Sequence, residues 1–210
     1  MRQIGDNIPT SAICCYHAND GFVKASAAHI RTEYERAQKD GHENPRVLFS
    51  AHGLPEKIIK GGDPYQWQCE QTAEAIVKEL AIENIDTQNC YQSRVGPMKW
   101  IGPSTEEAIA KAAQDGKAVV IYPHAFTQEH VETLVELDIE YKEEAEHMGQ
   151  EGYYRAKTVG THGAFIDGLA SMVSAHLDKE GIKAERFECS CPSQFGQCCM
   201  RDRIAQRKAA

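Results

Sequence analysis

The sequence predicts an α/β fold, a mostly parallel sheet with helices on both faces. Two observations predict it. Short apolar runs alternate with longer stretches of helical period along the chain. The 210 residues, 41% hydrophobic and 26% charged, suffice for one domain or a little more with a sizeable core. No internal repeat, low-complexity tract or domain linker interrupts the alternation.

Ser11-Ala12-Ile13-Cys14-Cys15-Tyr16 is an apolar run ending near Asn19-Asp20-Gly21 and reads as a buried strand. Residues 22–37 place Phe22, Ala25, Ala28 and Ile30 at helical spacing against a polar face. A polar link from Lys39 to Pro45 leads into Arg46-Val47-Leu48-Phe49-Ser50-Ala51, a second buried strand. It runs out into His52-Gly53-Leu54-Pro55. Residues 66–81 read as helix and Cys90-Tyr91-Gln92-Ser93 as a third strand. The stretch from Val95 to Pro103 holds two glycines and two prolines, which exclude regular helix or a central strand. Ser104 or Thr105, with Glu106 and Glu107, caps a helix over 105–115. Ala118 to Tyr122 is a fourth strand, ending in Pro123-His124-Ala125-Phe126. Helices follow from Gln128 to about Met148 and over 163–177. The apolar tail from Ile204 to Ala210 carries no readable signal. In sheets of this kind ligands sit beyond the C-terminal ends of the strands, and His52 and His124 both lie just there.

Charge narrows the function. There are 31 acidic against 23 basic residues, a formal net charge of -8, which argues against nucleic acid as the main partner. No segment approaches the roughly 18 apolar residues of a membrane span. The N-terminus, Met1 to Asp6, has no apolar signal core. The expectation is a cytoplasmic protein, associated with a membrane at most peripherally.

Three features carry chemistry. His52 follows an apolar strand directly, so its ring stands at the sheet rim, where an imidazole can take a proton or bind a divalent metal. A histidine there also fits a structural role, bonded to a backbone carbonyl. Glu129, Glu132, Glu136 and Glu140 are spaced by three, four and four, which puts four carboxylates on one helical face. Like charges at this spacing repel unless a cation or water compensates. A plain solvated face has the same pattern, but such a row also suits a path for Fe²⁺ or protons. Finally, Cys189, Cys191, Cys198 and Cys199 crowd the C-terminus. Clustered thiols in a reducing compartment suggest an Fe–S or zinc site, with a fourth ligand from Cys14 or Cys15. Tyr65, Trp67, Trp100 and Phe126 are more weakly read as the lining of an apolar pocket for a flat ligand.

Val47-Leu-Phe-Ser-Ala-His-Gly-Leu-Pro55, Gly62-Asp-Pro-Tyr65, Tyr91 through Pro103, and Pro123-His-Ala-Phe-Thr-Gln-Glu-His-Val-Glu-Thr-Leu-Val-Glu-Leu-Asp-Ile-Glu-Tyr141 are long, specific stretches. In their order and spacing they resemble ferrochelatase. The resemblance runs from about Pro9 to the C-terminus. It implies a Rossmann-like doubly wound fold of the class II chelatase type, and insertion of ferrous iron into protoporphyrin IX or coproporphyrin III in haem biosynthesis. It implies a catalytic role for His52, with Glu132 as its acidic partner, and a metal or proton path through His52, Glu132, Glu136 and Glu140. Trp100 and Met98 are similar to residues beside the bound macrocycle. Cys15, Cys189, Cys191 and Cys198 resemble the ligands of a [2Fe-2S] cluster, with Cys15 preferred to Cys14 and Cys198 to Cys199. Cluster-bearing relatives often dimerise, so a homodimer is expected. Residues 1–185 then form the Rossmann-like domain, and 186–210 the cysteine-rich segment and tail.

The family is built from two similar halves with the cleft between them, and the chain is expected to lack most of the N-terminal half. That half becomes an expected partner. Its lack also raises a second reading, a non-catalytic Fe–S-binding remnant that serves in binding or association. A zinc module rests on the cysteines alone. A related chelatase acting on cobalt fits the long motifs less well.

Overall fold

The computed structural model describes residues 10–94 and 96–200. Residues 1–6 and the 204–210 tail lie outside the described residues. The chain runs through β1 (Ser11–Ile13), α1 (Asp20–Lys39), β2 (Arg46–His52), α2 (Glu56–Lys60), α3 (Tyr65–Leu80), β3 (Thr87–Gln92), α4 (Thr105–Gln114) and β4 (Val119–Tyr122). A π-helix (Glu132–Glu140) follows and continues as α5 (Tyr141–His147). The last elements are β5 (Tyr153–Arg155), α6 (Gly163–His176) and β6 (Gly181–Lys183).

Four parallel strands form the main sheet in the order β3-β2-β4-β5. Strand side chains alternate between faces, and the core divides accordingly. Val47, Phe49, Val120 and Tyr122 pack with α1, α3 and Phe165 of α6. Leu48, Val119 and Ile121 pack on the other face with Ala108, Ile109 and Ala112 of α4, Leu137 of the π-helix, and Tyr141 and Ala145 of α5. Both faces are therefore covered, and the sheet is doubly wound. From β2 the chain steps outward to β3, then crosses back past β2 to β4. That reversal puts a crevice at the C-terminal ends of β2 and β4, where His52 ends its strand and His124 follows its own.

Local chemistry sets the helix starts. The Asn19 side chain accepts from Phe22 N at 3.0 Å to open α1. Ser104 and Glu107 form a reciprocal capping box that opens α4, so Ser104 is the cap.

Several sequence expectations change. The first strand covers only Ser11–Ile13, and Ser11 and Ala12 are exposed rather than buried. It pairs with β6 in a separate two-stranded sheet, outside the core of the main one. The third strand starts at Thr87 rather than Cys90. The helix expected from Gln128 starts later, and its first nine described residues form a π-helix. No helix among the described residues is long and apolar enough to cross a membrane.

Candidate active site and cysteine centre

His52 is the last residue of β2. Its Nδ1 lies 2.9 Å from the Gly53 carbonyl, which can only accept, so Nδ1 carries the proton and donates. In the neutral ring this leaves Nε2 with a free lone pair. Nε2 stands 3.6 Å from Oε2 of Glu132. The two side chains are 42% and 43% exposed, open enough for a substrate to reach both. From behind, Tyr65 donates its hydroxyl to the His52 carbonyl at 2.9 Å. Burial raises the Tyr65 pKa far above its ordinary value, so the phenol stays a donor.

Glu136 faces the neighbouring strand end. Gln92 Nε2 donates to it at 3.1 Å, and Ser93 Oγ lies 2.9 and 2.8 Å from its two carboxylate oxygens. Gln92 is fully buried, and its Oε1 accepts from Ser50 Oγ at 2.9 Å, which fixes the amide's orientation. His52 and Gln92 are paired in register. Two carboxylates of the π-helix thus face the ends of two adjacent strands. Glu140 is exposed at the end of the same helix.

The expected four-carboxylate row is corrected to three. Glu129 precedes the helix and turns away from the row. Its carboxylate accepts from Arg155 at 2.6 Å, from Thr158 N at 2.9 Å and from Thr133 Oγ1 at 2.8 Å. These donors lower its pKa against the opposing effect of burial. The four-residue spacing of Glu132, Glu136 and Glu140 falls short of a π-helical turn about as much as it exceeds an α-helical one, so those three still share a side.

The four aromatic side chains go to different neighbours. Trp67 packs edge-on against His17 and tilted against Phe195 of the cysteine segment. Phe126 packs against His130. Trp100 is bridged to Pro55 and stands beside Gly53, where an added Cβ would lie 3.4 Å from the indole and 3.0 Å from the Gln92 carbonyl. Met98 is 54% exposed and shares a cleft with Ile58, Lys57 and Lys99.

His124 is buried against Phe49, ring centroids 5.6 Å apart, and neither ring nitrogen makes a well-formed hydrogen bond. Burial pushes its pKa down to about 4, and the backbone of Ser50 and Cys69 compensates only in part. The unfolded chain takes up this proton near the ordinary value, about 6.5. The folded chain resists until about pH 4. Stability held above pH 6.5 is therefore lost as pH falls through that window, by up to about 3 kcal/mol. Burial lowers His17 and His29 as well, which adds in the same direction. His124→Leu is expected to flatten the melting temperature between pH 6.5 and 4.5 in a series of thermal melts.

The cysteine centre is assembled by the small sheet. Pairing of β1 with β6 continues through Cys14 N to Lys183 O at 2.8 Å and Glu185 N to Cys15 O at 3.2 Å. This brings the Cys14-Cys15 pair against the C-terminal segment. The Sγ atoms of Cys189, Cys191 and Cys198 lie within 4.8 Å of one another, with Cys189 and Cys198 3.4 Å apart. Cys14 and Cys15 are 3.4 Å apart, and their neighbours include Cys198 and Cys199 for both and Cys191 for Cys15. Burial, with neighbouring thiols, pushes the Cys191 thiol up to about 12. A bound cation would displace such protons. The donor set fits a soft thiolate-ligated centre.

Gly62 holds this segment against the loop after α2. Its φ is +97°, and an added Cβ would lie 3.0 Å from Gly196 N. Its carbonyl accepts from Gln197 N at 3.1 Å. Gly62→Ala is expected to cost about 1–3 kcal/mol, read by thermal melt.

Sequence reading missed Gln92, Ser93 and Arg155 as site residues. The strand-end rule that singled out His52 also covers Gln92 and Ser93. Nothing comparable marks Arg155, which sits on a three-residue strand without an apolar run.

The family model described as Ferrochelatase matches residues 1–177. Proteins named Ferrochelatase from Rickettsia bellii, Hyphomonas neptunium and Caulobacter vibrioides are 44%, 47% and 46% identical to this chain. The matches cover 94%, 89% and 94% of the chain but 55%, 52% and 56% of those proteins, so the chain spans about half the length of the curated relatives it matches. A solved structure from Deinococcus radiodurans, titled as a multi-domain protein with structural similarity to chelatases, covers 78% of this chain and 31% of its own. Its TM-score is 0.42 at 15% identity, a likeness too slight to add to the fold described above.

Proposed function

This chain belongs to the ferrochelatase family, and on that footing we propose that it forms the proton- and metal-handling wall of a site that inserts ferrous iron into a porphyrin in haem biosynthesis. One observation carries the reading. The open lone pair of His52 Nε2 and the Glu132 carboxylate face each other at 3.6 Å, beyond the C-terminal end of a parallel strand.

The chemistry asks for such a pair. A free porphyrin holds two pyrrole N–H protons, and both leave as Fe²⁺ takes the four nitrogens. Neutral His52 accepts a proton at Nε2, and the adjacent carboxylate stabilises the imidazolium. Glu136 and Glu140 extend the carboxylate line as a path for ferrous iron or protons. Trp100 and Met98 flank the macrocycle, protoporphyrin IX or coproporphyrin III. The half of the family protein that this chain does not span supplies the opposite wall, and a second copy of the chain is a further partner. We place the reaction in the cytoplasm.

Cys15, Cys189, Cys191 and Cys198 are the proposed ligands of a [2Fe-2S] cluster. The thiol crowding supports this, since four thiolates are the usual ligand set of such a cluster. Held by these thiolates, such a cluster would supply a redox-active, coloured centre.

Anaerobic incubation with ferrous iron and porphyrin tests the function. Loss of free-porphyrin fluorescence is expected when the chain is supplied with the half of the family protein that it does not span. Cluster absorption in a chain that never metallates porphyrin in that mixture would instead favour the binding-module reading.

A further inference from the structure

We propose that Arg155 is a positioning residue that holds the π-helix so that Glu132 meets His52. The inference rests on the reading of the His52–Glu132 site given above. Arg155 is on β5, the edge strand beside the π-helix, and its side chain is 12% exposed. Its guanidinium makes three short bonds. Nη1 donates to Glu129 Oε1 at 2.6 Å, Nε to Asp138 Oδ1 at 2.6 Å, and Nη2 to Asp138 Oδ2 at 2.7 Å.

The two acids bracket the segment that matters. Glu129 lies just before the π-helix and Asp138 in its second half, with Glu132 and Glu136 between them. One planar guanidinium therefore fixes both ends of the bracket, and its fork is the geometry a carboxylate pair needs. Glu129 passes the constraint on, because its other oxygen accepts from Thr133 Oγ1 at 2.8 Å. Thr133 is fully buried and directly follows Glu132 in the chain. Two residues before Arg155, on the same side of β5, Tyr153 donates to the Leu137 carbonyl at 2.6 Å. The edge strand thus grips the helix through one backbone carbonyl and two carboxylates, none of them in the carboxylate row. Such a grip sets position without touching substrate.

Arg155→Lys keeps the charge but cannot span both acids with the same bonds. In the metal-insertion assay it is expected to lower kcat by about 100-fold, the scale of an ångström-level misplacement, with porphyrin KM within about twofold. In a Glu132→Gln background the same substitution is expected to cost nothing further, because both changes remove one arrangement. Asp138→Asn, which loosens one end only, guards against a misfolded lysine variant and should show the same pattern at smaller size. The ring ¹⁵N signals of His52, recorded on the chain without substrate, should move alike in Arg155→Lys and Glu132→Gln.

An equal kcat loss in the Glu132→Gln background would overturn the inference. So would unmoved His52 ring signals in a variant whose melting temperature has fallen, since that is a merely structural role. If no form of the chain inserts metal, the proposed function fails, and the ring signals still decide whether Arg155 positions Glu132.

Discussion

Replacing His52 with alanine is expected to lower metal insertion by about 100- to 10,000-fold, the usual range for a removed acid–base group. The geometry explains why little else could substitute. Nδ1 is committed to the Gly53 carbonyl, so Nε2 is the ring's one available proton acceptor. Its neighbour Glu132 is close enough to stabilise the charged ring, but it supports the proton transfer rather than replacing the ring that accepts the proton. Glu132→Gln should therefore cost less than His52→Ala. Because the His52 side chain is 42% exposed, its removal should leave the melting temperature within a few degrees of the parent. Steady-state rates alongside thermal melts check both statements. An unchanged rate in His52→Ala would remove the histidine from the chemistry.

Cys191→Ser is expected to abolish the proposed [2Fe-2S] cluster. Cys191 is buried beside Cys189 and Cys198 and accepts from Gln68 Nε2 at 3.4 Å, which ties the segment to α3. Visible absorption should vanish, and iron should fall from about two atoms per chain toward zero. Cys14→Ser and Cys199→Ser, which change two nearby thiols outside the proposed set, should keep both. A colourless protein holding one zinc per chain would contradict the cluster and leave a zinc site on the same thiols.

The parts of the fold legible in the sequence are those where burial leaves an apolar signature. Strands β2 and β4 read as continuous apolar runs because both their faces are covered. Helices α1 and α3 showed their periodicity because each buries one stripe. Strand β3 reads short in the sequence because Thr87, Gln88 and Asn89 are polar and only Cys90 to Gln92 are fully enclosed. Strands β5 and β6 have three residues each, too few for a pattern. Cys14 and Cys15 looked like strand core from their apolar neighbours, yet they follow a marginal strand and turn toward the other thiols. Glu129 matched the helical spacing, but its fate was decided by Arg155, far away in sequence, which no local pattern reveals. The approach of His52 to Glu132 is likewise a tertiary fact. Spacing could put each beyond a strand end or on a helix, while only the fold brings them together.

The most direct test is to identify the product by mass. The chain, the half of the family protein that it does not span, ferrous iron and protoporphyrin IX or coproporphyrin III are incubated anaerobically, with the His52→Ala chain in parallel. The expected result is repeated turnover to a porphyrin that has gained one iron and lost two protons, absent from the His52→Ala mixture. Unmetallated porphyrin in every mixture, or equal metallation with and without His52, would contradict a ferrous-insertion site built on this histidine and Glu132.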